Sequence, residues 1–244
     1  MAKITHDPIA FSNAKIFGAS TTQEMDLGAR AVGGDGSEYR YVKVGGTALV
    51  AGKLYDGPAT IDNHQNLAVN TAASAGATTI SVTLGGTAAT ANQYAGGYIV
   101  INDEDGEGYT YSIKSHPAQS TTTGSLTVTL ADGETVQEAL TTSSEASLVA
   151  NQYSAIIIHA ATETGVAVGV AIDDIAASSY GWIKTRGPVA LLQDSSAGNA
   201  GQAVAASTTT DGAGTVGTGA LAPIGIYIDD GTSTEYNPVF LMMS

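Results

Sequence analysis

Residues 78–84 read Thr78-Thr79-Ile80-Ser81-Val82-Thr83-Leu84. Ile80, Val82 and Leu84 share one parity and Thr79, Ser81 and Thr83 the other, the period of two expected of a strand with one buried and one wet face. Leu126, Val128 and Leu130 repeat the pattern at 126–130. Working outward, further strands are expected at Arg40–Val44, Ala48–Val50, Lys53–Tyr55, Gly97–Asn102 and Gly108–Lys114. Beyond these lie Ser154–His159, Gly165–Ile172, Gly181–Thr185, Val189–Gln193, Gln202–Ala206, Ile224–Ile228 and Val239–Met242. Between Gly97–Asn102 and Gly108–Lys114 lies Asp103-Glu104-Asp105-Gly106-Glu107, read as a hairpin tip with Asp105-Gly106 supplying the positive φ.

Helical spacing is sparse. One short helix is expected over Glu134–Thr141, where Val136 and Leu140 are four apart. Residues 72–78, 119–125 and 207–219 read as wide loops. The fold class is therefore mainly β: small β-barrel or β-sandwich units with long Gly/Thr/Ala loops and an extended N-terminal arm. Three consecutive segments are expected: arm and first β segment over 1–68, a β domain with hairpins over 69–160, and a C-terminal β-barrel-like domain over 161–244. Segments 78–101 and 124–158 echo each other, each carrying an alternating strand and an Asn-Gln-Tyr tripeptide, Asn92-Gln93-Tyr94 and Asn151-Gln152-Tyr153. A duplication and two hairpins under similar constraints both fit this echo.

Composition narrows the chemistry. The 244 residues include no cysteine, which excludes disulfides, thiol catalysis and Cys-ligated metals. Asp and Glu number 23 against nine Lys and Arg, a net charge of −14 that disfavours nucleic acid as a partner. The charge is uneven: the first 53 residues hold six of the nine cations, and the rest hold only Lys114, Lys184 and Arg186. No segment is long and apolar enough for a membrane helix, and the first residues lack the apolar stretch of a secretory signal, so synthesis in a host cytoplasm is expected.

Candidate sites are few. Gly212-Ala213-Gly214-Thr215-Val216-Gly217 matches the dinucleotide pattern Gly-x-Gly-x-x-Gly, but neither a strand before it nor a helix after it is expected, and it reads as a turn-rich loop. Asp103, Asp105 and Glu107 offer alternating carboxylates, without the glycine spacing of a calcium loop. Asp173-Asp174 and Asp229-Asp230 read as strand ends. His6, His64, His116 and His159 are isolated in sequence, with His159 alone expected to be partly buried. No catalytic residue, cofactor or metal is expected. Tyr39 and Tyr41, and Tyr109 and Tyr111, are two apart and so share a strand face. These tyrosines suit a half-wet interface between subunits or with a bound glycan, ordinary sheet surface being the alternative, and with Trp182 they are the subunit-interface candidates.

Two stretches carry a resemblance. One is EYRYVKVGGTALVAGKLYDGPA (38–59) with 79–116; the other is YGWIKTRGPVALLQDSSAGNAGQAV (180–204) through 214, closing with APIGIYIDD (222–230). Together they resemble the small β-rich head decoration, or cement, proteins of tailed bacteriophages. The resemblance implies a β-barrel-like unit from the strand Tyr180–Thr185, a turn at Gly187-Pro188, the step Ala200–Val204 and the late strand around Ile224–Ile226. It also implies a non-enzymatic virion protein on the head exterior, bound to the major capsid protein, self-associated as a homotrimer. The uneven charge adds a docking expectation: the segment Ala2–Gly36 as an arm whose Lys3, Lys15 and Arg30 meet acidic shell groups. A tail or fibre subunit and a carbohydrate-binding or adhesin module are the competing readings.

Overall fold

The computed structural model describes residues 9–10 as backbone, and residues 16–121 and 123–243 in full. The chain forms two units, and one is inserted into the other. Residues 1–59 and 152–244 make a split unit, and residues 60–151 make an inserted barrel. This division replaces the three consecutive segments expected, because strands before residue 59 pair with strands after residue 152.

Six strands close the inserted barrel: β5 (Leu67–Thr71), β6 (Thr79–Thr83), β7 (Tyr98–Asp103), β8 (Thr110–Ser115), β9 (Ser125–Leu130) and β10 (Glu145–Val149). Their order is β10-β5-β6-β9-β8-β7, antiparallel throughout. Ile80, Val82, Leu126 and Val128 fill the interior together with Leu67, Val69, Ile99, Ile101, Ile113 and Leu148. Thr79, Ser81, Thr83, Ser125 and Thr127 face outward, and Ser81 Oγ lies 2.8 Å from Ser125 Oγ. Closure removes the free edges on which such strands would otherwise aggregate.

The echo has a structural counterpart. Strands β5, β6 and β7 correspond to β8, β9 and β10: the pairs Ala68↔Glu145 and Leu67↔Ala146 are matched by Ser112↔Tyr98 and Tyr111↔Ile99. Both β5 and β8 carry a bulge against their partners, between Val69 and Thr71 and between Ile113 and Ser115. The two tripeptides diverge, since Tyr94 joins the barrel core and Tyr153 joins a core of the split unit.

Glu134–Thr141 is not a helix. Leu140 and Ala73 exchange N–H···O=C bonds of 2.8 and 3.0 Å, and Val136 donates to Ala77 (2.8 Å), so residues 136–140 run as non-helical chain, bent at Gln137–Glu138 and tied to residues 73–77. Val136 and Leu140 are both buried without a helix because the exposed bend between them returns the chain to the core. The hairpin β7–β8 forms as expected with Gly106 at φ 82°, although Glu104 and Gly108 also adopt positive φ and make the tip wider than a two-residue turn.

The split unit is one curled sheet in the order β1-β2-β3-β13-β17-β16-β14-β15. Its strands are β1 (Ile9–Ala10), β2 (Arg30–Val32), β3 (Glu38–Lys43), β13 (Tyr180–Leu192), β14 (Ala203–Ala206), β15 (Gly214–Val216), β16 (Pro223–Tyr227) and β17 (Tyr236–Met242). Strand β12 (Ala167–Ala171) joins β13 to β4 (Leu54–Asp56), which also pairs with β11 (Ile157–Ile158). The 13-residue β13 is its spine, pairing with β3 over Tyr180–Arg186 and with β17 over Arg186–Leu192.

The turn expected at Gly187-Pro188 is absent. A bulge between Lys184 and Arg186 and the positive φ of Gly187 (102°) bend the strand without ending it, and Pro188 stays in register with Phe240. The N-terminal arm is also partly corrected. Strand β1 runs parallel to β2 with Ile9 opposite Ala31, and Ile16 and Ala31 are buried beside Tyr39, Tyr41 and Trp182.

Candidate functional site

The tyrosine candidates separate by face. Tyr39, Tyr41 and Trp182 are 5%, 3% and 4% exposed within a core of their own chain. The Tyr41 and Trp182 rings meet edge-on at 5.2 Å, the Tyr41 hydroxyl accepts the Glu24 N–H at 3.1 Å, and Lys184 lies over the Tyr39 ring. Tyr111 is buried in the barrel and accepts the Gln137 N–H at 2.9 Å. Tyr109 stacks on it at 6.1 Å and is 39% exposed, the only one of the five candidates whose ring faces solvent. Tyr39 and Tyr41 share one face as expected, and that face is inward, with Glu38 and Arg40 on the other parity; Tyr109 precedes β8 and stays at the surface, whereas Tyr111 is buried. Lys3 and Lys15 lie outside the described residues.

Arg30 donates to both Glu38 oxygens at 3.0 and 2.7 Å, so its charge is matched within the sheet. Hydrogen bonding from Arg30, opposed by burial and helped by the charges of Arg30, Arg186 and Arg40, holds the Glu38 carboxyl below its usual pKa. The chain has three arginines, and all three therefore act on this one carboxylate.

The three described histidines are all buried, not His159 alone. In the barrel, His64 bonds the Tyr94 hydroxyl through Nδ1 and the Thr87 carbonyl through Nε2 (2.8 Å). His116 Nε2 accepts the Tyr94 N–H (3.0 Å) while Nδ1 meets the Pro117 carbonyl (2.8 Å), a neutral ring. Burial holds the His116 pKa below its usual 6.5 and raises the Tyr94 hydroxyl to about 12.

His159 is the opposite case. Its Nδ1 lies 2.9 and 3.0 Å from the two oxygens of Asp56, which is 0% exposed, and its Nε2 lies 3.2 Å from the Ser207 carbonyl. Burial opposes the ring's charge, but the hydrogen bond and charge of Asp56, the Ser207 carbonyl and Glu163 outweigh it and raise the pKa above 6.5. Asp, His and Ser meet here without forming a nucleophile: Nε2 points at the Ser207 carbonyl, and the Ser207 hydroxyl donates to Asp194 at 2.7 Å. The group ties β4 to the loop at 207, and His159 lines an open cavity of about 490 Å³ together with Gln152, Glu163, Val166, Leu221 and Met242.

These histidines predict opposite pH responses in the two units. A raised pKa gives His159 a stabilising contribution that is complete below 6.5 and lost as pH rises through the folded value. A lowered pKa makes His116 stabilising above 6.5, with the contribution lost as pH falls below it. Denaturation titrations at about pH 5.5 and 8 will show the split unit weakening on the alkaline side and the barrel on the acid side. Trp182, the chain's one tryptophan, reports the split unit by fluorescence, and amide exchange reports the barrel. A shift of the same sign in both would contradict the assignment.

Residues 212–217 form no dinucleotide site. Gly212 donates to the His159 carbonyl and accepts from Leu54, and 214–216 are β15. The Asp pairs end strands, since Asp173 and Asp229 accept the N–H of the next residue and Asp174 and Asp230 accept those of Ala51 and Ala200. Among the described residues no three His, Asp or Glu side chains converge as metal ligands.

The residues that sequence reasoning missed lie on the outward face of the sheet. Along β17, Asn237, Val239 and Leu241 point inward, and Tyr236, Pro238, Phe240 and Met242 point out. Opposite them stand Leu192, Ala190 and Pro188 of β13, and across β16 stands Ile226, followed by Ile228. Tyr236, Met242, Ile228 and Ile226 are 48%, 51%, 48% and 37% exposed. No charged side chain interrupts the face. Arg186 stands at its Met242 end, opposite Met242 in register, and Asp229, Asp230 and Glu235 stand at its Tyr236 end. The signal was in the sequence: residues 236–242 are apolar in both parities apart from Asn237, the pattern of a strand covered on both faces.

No family model matches this chain, and neither a curated protein nor a solved structure matches it.

Proposed function

We propose that this chain is a structural protein that binds the outside of a tailed-bacteriophage capsid and stabilises the head as a decoration protein, with the major capsid protein as its partner. The observation that carries the reading is the uninterrupted apolar face of β13, β17 and β16 on a chain of net charge −14. An exposed patch of this kind belongs to a molecule that functions covered. The ring nitrogens of His64, His116 and His159 are occupied by the chain's own groups, so their chemistry serves the fold. Lys3 and Lys15 remain the docking candidates, whereas Arg30 is engaged by Glu38.

Co-sedimentation of the purified chain with empty heads lacking it tests the reading. The expected result is saturable occupancy and heads that rupture at higher temperature. Lys3→Glu with Lys15→Glu lowers occupancy at least tenfold, about 1.4 kcal/mol. Deleting residues 2–30 is unsuitable, because it removes Ile16 from the core, with Met25, Leu27 and Ala29 packed against it, and cuts into β2 at Arg30. Heads that recover no chain contradict the reading. A carbohydrate-binding module keeps one supporting observation, the exposed rings of Tyr109 and Tyr98 on the hairpin that carries Asp103–Glu107. Binding to defined sugars on a glycan array would favour it.

A further inference from the structure

We propose that the outward face of β13, β17 and β16 is covered by the same face of a second copy of this chain, about a twofold axis that sets Arg186 of each copy against the acidic end of the other. This deepens the reading of that face as an assembly surface and rests on it. Strand β17 lies between β13 and β16, so its backbone is already paired on both sides and no strand can be added there. What remains is face-to-face packing of two sheets about 10 Å apart, with Phe240, Ile226 and Pro238 interdigitating across the seam.

Charge selects the occupant and its orientation. At one end Arg186 is exposed and stands opposite Glu38, whose carboxylate is already bonded to Arg30, so this end keeps a net positive charge; Arg186 itself makes no ion pair or side-chain hydrogen bond among the described residues. At the other end stand Asp229, Asp230 and Glu235, all exposed. Stacking two copies in the same direction would put three carboxylates on three. Reversing one copy brings each arginine to the acidic end of its partner, so the face complements itself, as a twofold contact requires. A membrane is disfavoured as occupant, because the acidic end repels anionic headgroups. The twofold order departs from the threefold assembly implied by the resemblance, because a face with opposite charges at its two ends is self-complementary.

The test uses the full chain alone, without heads, so its outcome is independent of capsid binding. Sedimentation at about 10 μM is expected to give the mass of two chains. Ile226→Asp with Ile228→Asp is expected to weaken association at least 100-fold and give the single-chain mass. Arg186→Glu is expected to weaken it about tenfold, and Arg186→Glu with Glu235→Arg to restore most of the loss. Circular dichroism checks the fold. If the aspartate pair fails to fold, the arginine and glutamate exchanges lie on exposed ends and still decide the question. A single-chain mass for the unaltered protein, a three-chain mass, or an exchange that restores nothing would each overturn the proposal. A single-chain protein that still binds heads would overturn this contact and leave the decoration reading standing.

Discussion

Asp56→Ala is expected to destabilise the split unit by about 3–5 kcal/mol, the cost of leaving a buried charge without its partner. Asp56 is fully buried, and it receives the Nδ1–H of a His159 whose other nitrogen is already committed to the Ser207 carbonyl. Removing the carboxylate leaves that ring, 3% exposed, with a choice between a bare positive charge and a lost proton. Asp56→Asn restores a hydrogen-bond acceptor without the charge and is expected to cost less, with the alkaline loss of stability abolished. Trp182 makes the measurement specific, since its fluorescence follows the split unit, and the barrel's exchange protection should not change. A cost for Asp56→Ala below about 1 kcal/mol would mean that the pair contributes no more than a surface bridge.

The second large effect belongs to the barrel. A Cβ on Gly97 would lie 2.1 Å from the Val149 carbonyl oxygen, 2.8 Å from the Asn151 nitrogen and 2.9 Å from the Ala150 carbonyl carbon. All three are backbone atoms, so no side chain can rotate away, and the pairing of β7 with β10 must open. Gly97→Ala is expected to cost about 3 kcal/mol or more, at the upper end for overpacking. Gly108 is the control: at φ 86° with nothing within 4 Å of its Cβ, Gly108→Ala carries only the strain of a left-handed backbone, about 1 kcal/mol. Equal effects of the two substitutions would contradict the close approach of β7 and β10. The Trp182 signal should be indifferent to both.

What could be read in advance follows from where the physics is local. Alternation along 79–84 and 126–130 reports burial residue by residue, and those strands appear where that pattern places them. The hairpin around Asp105-Gly106 was legible in its place along the chain but not in the width of its tip, where Glu104 and Gly108 also adopt positive φ. Two apolar residues four apart are too few to fix a period, and the reading fails at Val136 and Leu140, which an exposed bend rather than a helix brings to the core. It fails again at Gly187-Pro188, whose turn chemistry is overridden by pairing to β3 and β17 on either side of a bend.

The split unit was hidden for a different reason. Its closure joins Asp56 to Ala167 and Glu38 to Arg186, contacts more than 100 residues apart that no local window registers. The same distance hides the His159–Asp56 pair. The shared parity of Tyr39 and Tyr41 was readable, but which side that parity faced was not, since tyrosine suits either. The apolar face across β13, β17 and β16 was half visible: residues 188–192, 238–242 and 223–228 are apolar in both parities, but their adjacency arises only on folding.

Imaging of intact phage particles is the most direct test of the central claim, that this chain is a capsid-bound structural protein. The account predicts density for both β units on the outer surface of the head, repeated with the capsid lattice and absent from particles made without the chain. Density confined to the tail or fibres, or particles that contain no copies of the chain, would contradict it.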